Sequence, residues 1–194
     1  PTISSHRAAH LPEFLTQVQV SQLLSFCDQH KPSGCRNYAI LLLMLRLGLR
    51  ACEVLRLSLD DINWPQGNIQ IHGKGQKSRV LPLTHEVGQS IATYLKIARP
   101  HCPDRQVFVG SRAPYRALNN VSDISSIVRR ALMTAGLTPQ HKGAHLLRYT
   151  AATETLRCGA TLFEVSDLLG HCSIDTTALY TKIDITRLEE LAMP

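Results

Sequence analysis

The chain has 194 residues and a formal net charge of +6, a length that fits one large domain or two small ones. Hydrophobic residues make up 44 %, enough for a sizeable core, yet the longest apolar run, residues 38–45, stops at Arg46 and falls short of the roughly 20 residues a membrane span needs. No charged segment leads into an apolar stretch as in a signal peptide, and the basic excess favours a phosphate-bearing partner, of which nucleic acid is the commonest.

Taken in chain order, Thr16 and Gln19 have the spacing of a capping box, opening a helix with Val20, Leu23, Leu24 and Cys27 on one face. Lys31-Pro32-Ser33-Gly34 is expected to break it. A second helix, about Arg36 to Leu47, is apolar nearly all round and is therefore expected at the centre, ending at Gly48. Glu53 to Leu57 reads as a short helix and Asp60-Asp61 as a turn. The period then changes. Asn68 to His72 alternates, with Ile69 and Ile71 on one side; residues 73–77, GKGQK, form a turn; Arg79 to Leu83 pairs back as a hairpin. Thr84 caps a helix to about Ala98 that stops before Pro100, and Val107 to Val109 reads as a short strand.

Ser122 is expected to cap a helix carrying Ile124, Ile127, Val128, Ala131 and Leu132, closed by Gly136. His145 to about Arg157 is a helix closed by Gly159. Thr161 and Glu164 form a second capping box, opening a helix that ends at Gly170. Ser173 caps a helix that carries Tyr180, and an apolar-striped tail follows with Ile183, Leu188, Leu191 and Met193. With no internal repeat and no linker, the pattern gives one mostly helical domain with a small sheet inserted in its first half.

Six cysteines lie at 27, 35, 52, 102, 158 and 172 without a CxxC pair, which reads as reduced thiols in a cytoplasmic protein. Cys27, His30 and Cys35 lack a second ligand pair, so no metal is expected. Four stretches carry chemistry. Lys74 sits between two glycines, in a turn that is either solvated or aimed at a phosphate or a leaving oxygen; GKGQK lacks the P-loop spacing. In GLRACE, residues 48–53, Arg50 is either paired with Glu53 or aimed into a cleft, with Glu53 able to hold its guanidinium. In HLLR, residues 145–148, His145 and Arg148 share a helix face, one able to move a proton near neutral pH and the other offering a planar fork of donors. In LLGHCSIDTTALY, residues 168–180, Gly170 allows a left-handed turn that sends off His171, and Tyr180 presents a phenol that belongs either to packing or to a site. Together these residues form an anion site without the paired carboxylates that would hold Mg²⁺, and its one evident oxygen nucleophile is a phenol.

The set resembles the tyrosine recombinases of the phage integrase family: Arg50 in GLRACE, Lys74 in GKGQKSR, His145 and Arg148 in HLLR, His171 in LLGH and Tyr180 in TTALYTKID, in the family's order and separations from about Leu11 to Asp184. The histidine that commonly follows the HxxR arginine is replaced here by Tyr149. The resemblance implies an α+β, mostly helical catalytic fold, with an antiparallel sheet of about three strands on a helical core. It implies a single catalytic domain over 1–194 and a tail, 181–194, that either docks on a neighbouring protomer or folds on its own domain; the N-terminal core-binding domain that most members carry is absent from the sequence, as expected of either a catalytic fragment of a longer protein or one of the family's short forms. It also implies an enzyme: a site-specific DNA recombinase or integrase acting on double-stranded DNA without cofactor, metal or ATP, monomeric when free and tetrameric on DNA. Tyr180 would attack a scissile phosphate to give a 3′-phosphotyrosyl bond, and Arg50, Arg148 and His171 would steady the phosphoryl oxygens. His145 would serve as acid or base, and Lys74 would protonate the leaving 5′-oxygen. Arg79, Arg112, Arg116, Arg129, Arg130 and Lys142 are expected to contact the DNA backbone. The competing readings are a DNA-binding relative without catalysis and a type IB topoisomerase-like enzyme.

Overall fold

Seven consecutive apolar residues, Ala39 to Leu45, cannot all face one side of a helix, so the helix that carries them must be surrounded. In the computed structural model, which describes residues 13–73 and 78–170, it is. The elements run α1 (Gln17–Ser25), α2 (Pro32–Arg46), α3 (Ala51–Arg56), a 3₁₀ turn (Leu59–Asp61), β1 (Ile62–Asn63), β2 (Asn68–His72) and β3 (Ser78–Pro82). They continue with α4 (His85–Thr93), a π turn (Tyr94–Ala98), α5 (Val121–Thr134), α6 (Ala144–Arg157) and α7 (Leu162–Leu169). Helix α2 packs against α4 and its π turn, α6, α3 and α5, and every residue from Ala39 to Leu45 is buried.

Both capping boxes form. Thr16 N–H donates to Gln19 Oε1 at 2.9 Å and Gln19 N–H to Thr16 Oγ1 at 3.3 Å, while Thr161 N–H donates to Glu164 Oε2 at 2.7 Å. The Lys31–Gly34 stretch does not act as the expected break. Helix α1 already stops at Ser25, and Pro32 is the first residue of α2. The first turn of a helix has no partner for its N–H groups, so proline fits there and its fixed φ favours the start. Asn120, not Ser122, caps α5, accepting from Ser122 N–H at 2.9 Å. Helix α3 begins two residues earlier than expected, at Ala51.

The sheet has three antiparallel strands in the order β1-β2-β3. Ile62 pairs with Ile69, and Ile69 with Leu81, so one buried apolar row crosses all three strands. The third strand is not where the sequence pointed. Val107–Val109 was the expected strand, but it makes no ladder; isolated bridges at Gln106 and Val109 flank it. Its side chains are fully buried, and its backbone finds other partners. Val107 N–H donates to Leu57 O at 2.8 Å, Arg99 Nε to Val107 O at 3.1 Å, Arg36 Nη1 to Val109 O at 2.9 Å, and Val109 N–H to Tyr94 Oη at 3.3 Å. Arginine and tyrosine side chains thus do the work that neighbouring strands would do.

A second, smaller apolar cluster joins α6 to α7 through Ala152, Leu156, Val165 and Leu169. Ahead of α6, Gln140 and His141 N–H donate to the Glu13 carboxylate at 3.1 Å each, and Leu15 N–H to Thr150 Oγ1 at 2.9 Å. Glu13 and Leu15 thereby tie the segment before α1 to the helix that carries HLLR and to the residues just ahead of it. Among the described residues no helix is long and apolar enough to cross a membrane.

Candidate active site

Arg50 stands at the N-cap of α3, one turn after the end of α2. Gly48 makes that turn possible: it lies in the left-handed region at φ 61°, and a Cβ there would overlap Leu169 Cδ2. Arg50 N–H donates to Glu53 Oε2 at 2.8 Å, and its Nη1 to Glu53 Oε1 at 3.0 Å, so Glu53 fixes both ends of the residue. The rest of the guanidinium reaches the last carbonyls of α7: Nη1 to Leu169 O and Nη2 to Gly170 O, each at 3.3 Å. The Arg50 side chain keeps 37 % of its surface exposed.

Arg148 reaches the same place from α6. It is buried, with Nη1 donating to Gly48 O and Nη2 to Leu169 O at 2.6 Å. Leu169 O thus accepts from both arginines. The terminal carbonyls of a helix lack intrahelical donors and carry the negative end of its dipole, which is why cations collect there. Gly170 ends α7 in the left-handed conformation, φ 61° and ψ 50°, as its place before His171 led one to expect.

A third arginine completes the cluster. Arg79 on β3 lays its fork along Glu53, Nη1 on Oε1 at 3.0 Å and Nη2 on Oε2 at 3.1 Å, and its Nε donates to Leu168 O at 3.2 Å. Glu53 is almost wholly buried but its two oxygens take four donors. Burial alone would push its carboxyl up; the hydrogen bonds from Arg79 and from Arg50 N–H, with the two guanidinium charges, outweigh that and hold it below the usual value. Among the described residues, three guanidinium groups stand against one carboxylate in this cluster, and the exposed part of that positive charge is mainly Arg50's.

Of the six residues expected at the site, the structure brings Arg50 and Arg148 together at the end of α7. His145, at the second position of α6, is exposed while Arg148 three residues on is buried. The shared face therefore spans a gradient from solvent to interior. Lys74, His171 and Tyr180 lie outside the described residues. Their sequence neighbours do not: Arg79 follows the turn of Lys74 on the same hairpin, and Gly170 directly precedes His171. Of the two readings of Arg50, the pairing with Glu53 is the one observed, and its side chain stays 37 % exposed. Arg79, expected on the DNA backbone, is instead engaged by Glu53 and Leu168. The signal for this lay in the strand period: Arg79 shares the inner face of β3 with buried Leu81, and Val80, between them, is 62 % exposed. Arg112, Arg116, Arg129, Arg130 and Lys142 are all exposed.

The sequence matches the phage integrase family over residues 13–187. It is 43 % identical over 194 residues to y4rA of Sinorhizobium fredii, which carries an integrase/recombinase name; the match covers all of this chain and 47 % of that protein. It is 33 % identical over 200 residues to the tyrosine recombinase XerD of Xanthomonas axonopodis pv. citri, covering 96 % of this chain and 63 % of that one. The fold superposes on the XerH site-specific recombinase bound to a palindromic difH substrate in a post-cleavage complex, with a TM-score of 0.77 and 29 % identity over 94 % of this chain and 53 % of that one. The chain spans about half the length of y4rA and of the XerH chain. On a match that runs through nearly all of its length, and on a helical catalytic fold shared with such recombinases, this chain belongs to the phage integrase family.

Proposed function

We propose that the chain is the catalytic domain of a site-specific DNA recombinase that breaks and rejoins strands through a 3′-phosphotyrosyl intermediate. The observation that carries this is the convergence of Arg50 and Arg148, far apart in sequence, on the carbonyl of Leu169, two residues before His171. Two guanidinium groups aimed at one small region are suited to the non-bridging oxygens of a single phosphodiester.

In this reading Tyr180 Oη attacks the scissile phosphorus, the P–O5′ bond breaks, and the 5′-oxygen leaves with a proton from Lys74. A phenol with pKa ~10 is about one part in a thousand ionised at neutral pH, so a base must take its proton, and His145 is the candidate. Arg50 meets the phosphate with the edge that is already exposed. Arg148 exchanges one neutral carbonyl for a charged phosphoryl oxygen, the stronger acceptor. His171 adds a further donor. A 5′-hydroxyl of the partner duplex then attacks the phosphotyrosyl bond and releases Tyr180, so the bond energy is conserved without ATP and without metal. The partner is double-stranded DNA. Protomers, monomeric when free, assemble as four around two duplexes, with residues 181–194 of one docking on the next. Support for the DNA partner comes from relatives solved on DNA, XerH among them.

The test uses duplexes recovered by binding selection from a randomised-sequence pool and then nicked so that cleavage traps the enzyme. Wild-type protein should form a covalent adduct in the presence of EDTA; Tyr180→Phe should bind the same duplexes and form none. Adduct yields equal in the two proteins would refute the assignment of the nucleophile. Bound duplexes without any adduct would favour the non-catalytic DNA-binding relative, and relaxation of a plasmid lacking a selected site would favour the topoisomerase-like reading.

A further inference from the structure

We propose that Arg79 is a positioning residue for strand cleavage: its fork locks Glu53, and through Glu53 the catalytic Arg50, to the end of α7. The proposal rests on the recombinase reading and adds to it a residue that touches no DNA.

The argument starts from the strand. Ile71 pairs with Arg79 across the hairpin and Ile69 with Leu81, so Arg79 belongs to the inner row of the sheet. An arginine placed inward must find a partner, because an unpaired buried charge is costly. It finds Glu53 in two parallel bonds and Leu168 O in a third, and its side chain is 15 % exposed. The fit is tight on the far side as well. A Cβ on Gly170 would lie 2.6 Å from Arg79 Nη1, so the residue before His171 has no side chain and Arg79 occupies the space. One guanidinium therefore joins three segments: the hairpin that carries the Lys74 turn, the turn that carries Arg50, and the helix end that leads to His171.

The consequence concerns Arg50. With Arg79 in place, Glu53 shares its charge between two guanidinium groups. Without it, a buried carboxylate would keep one counter-charge, and Arg50 would be drawn into that role and away from a phosphate. Lysine at 79 would not substitute, because one ammonium group cannot span both carboxylate oxygens and a carbonyl.

Three measurements on the whole chain test this. Single-turnover cleavage at saturating DNA should fall roughly a hundredfold in Arg79→Met, the scale of a catalytic group displaced by about 1 Å. DNA affinity and its salt dependence should stay at wild-type values, whereas loss of a phosphate contact would lower the slope of log affinity against log salt by about 0.9. The third measurement needs no DNA. Without Arg79 the upward push of burial on Glu53 is less opposed, so the folded variant keeps the carboxyl proton to higher pH than the wild type. The stability gap between the two should therefore widen as pH rises from below the ordinary carboxyl value of 4.5 and level off once the variant's carboxyl has ionised, and Glu53→Gln in both backgrounds should flatten it. Arg79→Lys, which keeps the charge and loses the fork, should show the same loss of rate if Arg79→Met fails to fold. A flat pH gap, or a salt slope lowered by about 0.9 with the saturated rate intact, would overturn the proposal. A wild type that forms no adduct would overturn the recombinase reading and with it the cleavage role, and the pH-dependent gap would distinguish that failure from a failure of the Arg79–Glu53 coupling.

Discussion

Gly48 and Glu53 set the geometry of Arg50 from its two sides. Gly48 supplies the left-handed turn at φ 61°, gives its carbonyl to Arg148 and makes room for Leu169. Gly48→Ala should therefore be severe. The left-handed conformation costs an alanine roughly 1–2 kcal/mol, and overlap with a packed leucine adds about 1–3 kcal/mol. Urea denaturation should show the sum, and a loss below about 1 kcal/mol would mean that α7 can shift to accept the methyl group. Glu53 was legible as the partner of Arg50 because it lies three positions on in the chain. That it also holds Arg79, 26 positions away, was not legible, since contacts across that separation depend on how the hairpin docks on α3.

Helix α7 shows what one element contributes. Its N-terminus is closed by Thr161 and Glu164, and its C-terminus by Gly170 and three arginines. Its inner face, Val165 and Leu169, packs on α6. The hydrogen bonds from Thr161 N–H and then Oγ1 hold the exposed Glu164 carboxyl below its usual value of 4.5. A depressed carboxyl stabilises above its unfolded pKa and loses that contribution as pH falls through the folded one. Thr161→Ala should thus lower stability by about 1 kcal/mol at neutral pH, the ordinary worth of an N-cap. Part of the deficit should disappear as the pH is lowered below 4.5, where the Thr161 Oγ1–Glu164 carboxylate bond is lost while the cap to Glu164 N–H remains, which thermal unfolding at several pH values would read; a deficit that is constant across that range would deny the hydroxyl–carboxylate bond. Both capping boxes were visible in sequence because they are local, closed within four residues. The strand expected at Val107–Val109 does not form for the converse reason: a short apolar run with β-branched residues looks the same whether its backbone pairs with a strand or with Arg36, Arg99 and Tyr94.

Among the described residues, two groups of basic side chains stand apart at the scale of the molecule. Arg50, Arg79 and Arg148 are drawn into one cluster at the end of α7, while Arg112, Arg116, Arg129, Arg130 and Lys142 stay on the surface. In the recombinase reading proposed above, Arg50 and Arg148 would meet one phosphate with Arg79 behind them, and the second group would be available to the rest of the duplex. Lys142, exposed and two residues before α6, stands beside the helix that carries His145. Lys142→Gln should lower DNA affinity and reduce the slope of log affinity against log salt by about 0.9, with the cleavage rate at saturating DNA unchanged. An unaltered slope would remove Lys142 from the DNA-facing surface. The expected fold class, mostly helical with a three-stranded antiparallel sheet, is the one observed, although the third strand is Ile62–Asn63.

By itself the sequence determined the period and ends of most helices, the hairpin, the central place of α2 and the order of the chemistry-bearing residues. These follow from local backbone preferences, from burial of an all-apolar helix and from motif spacing. Only the tertiary structure decided that Arg50 and Arg148 share the carbonyl of Leu169, that Arg79 turns inward to Glu53 and that His145 stays in solvent while Arg148 does not. Each of those depends on the docking of segments remote in the chain, where the free energy of pairing a buried charge, and not any local propensity, selects the partner.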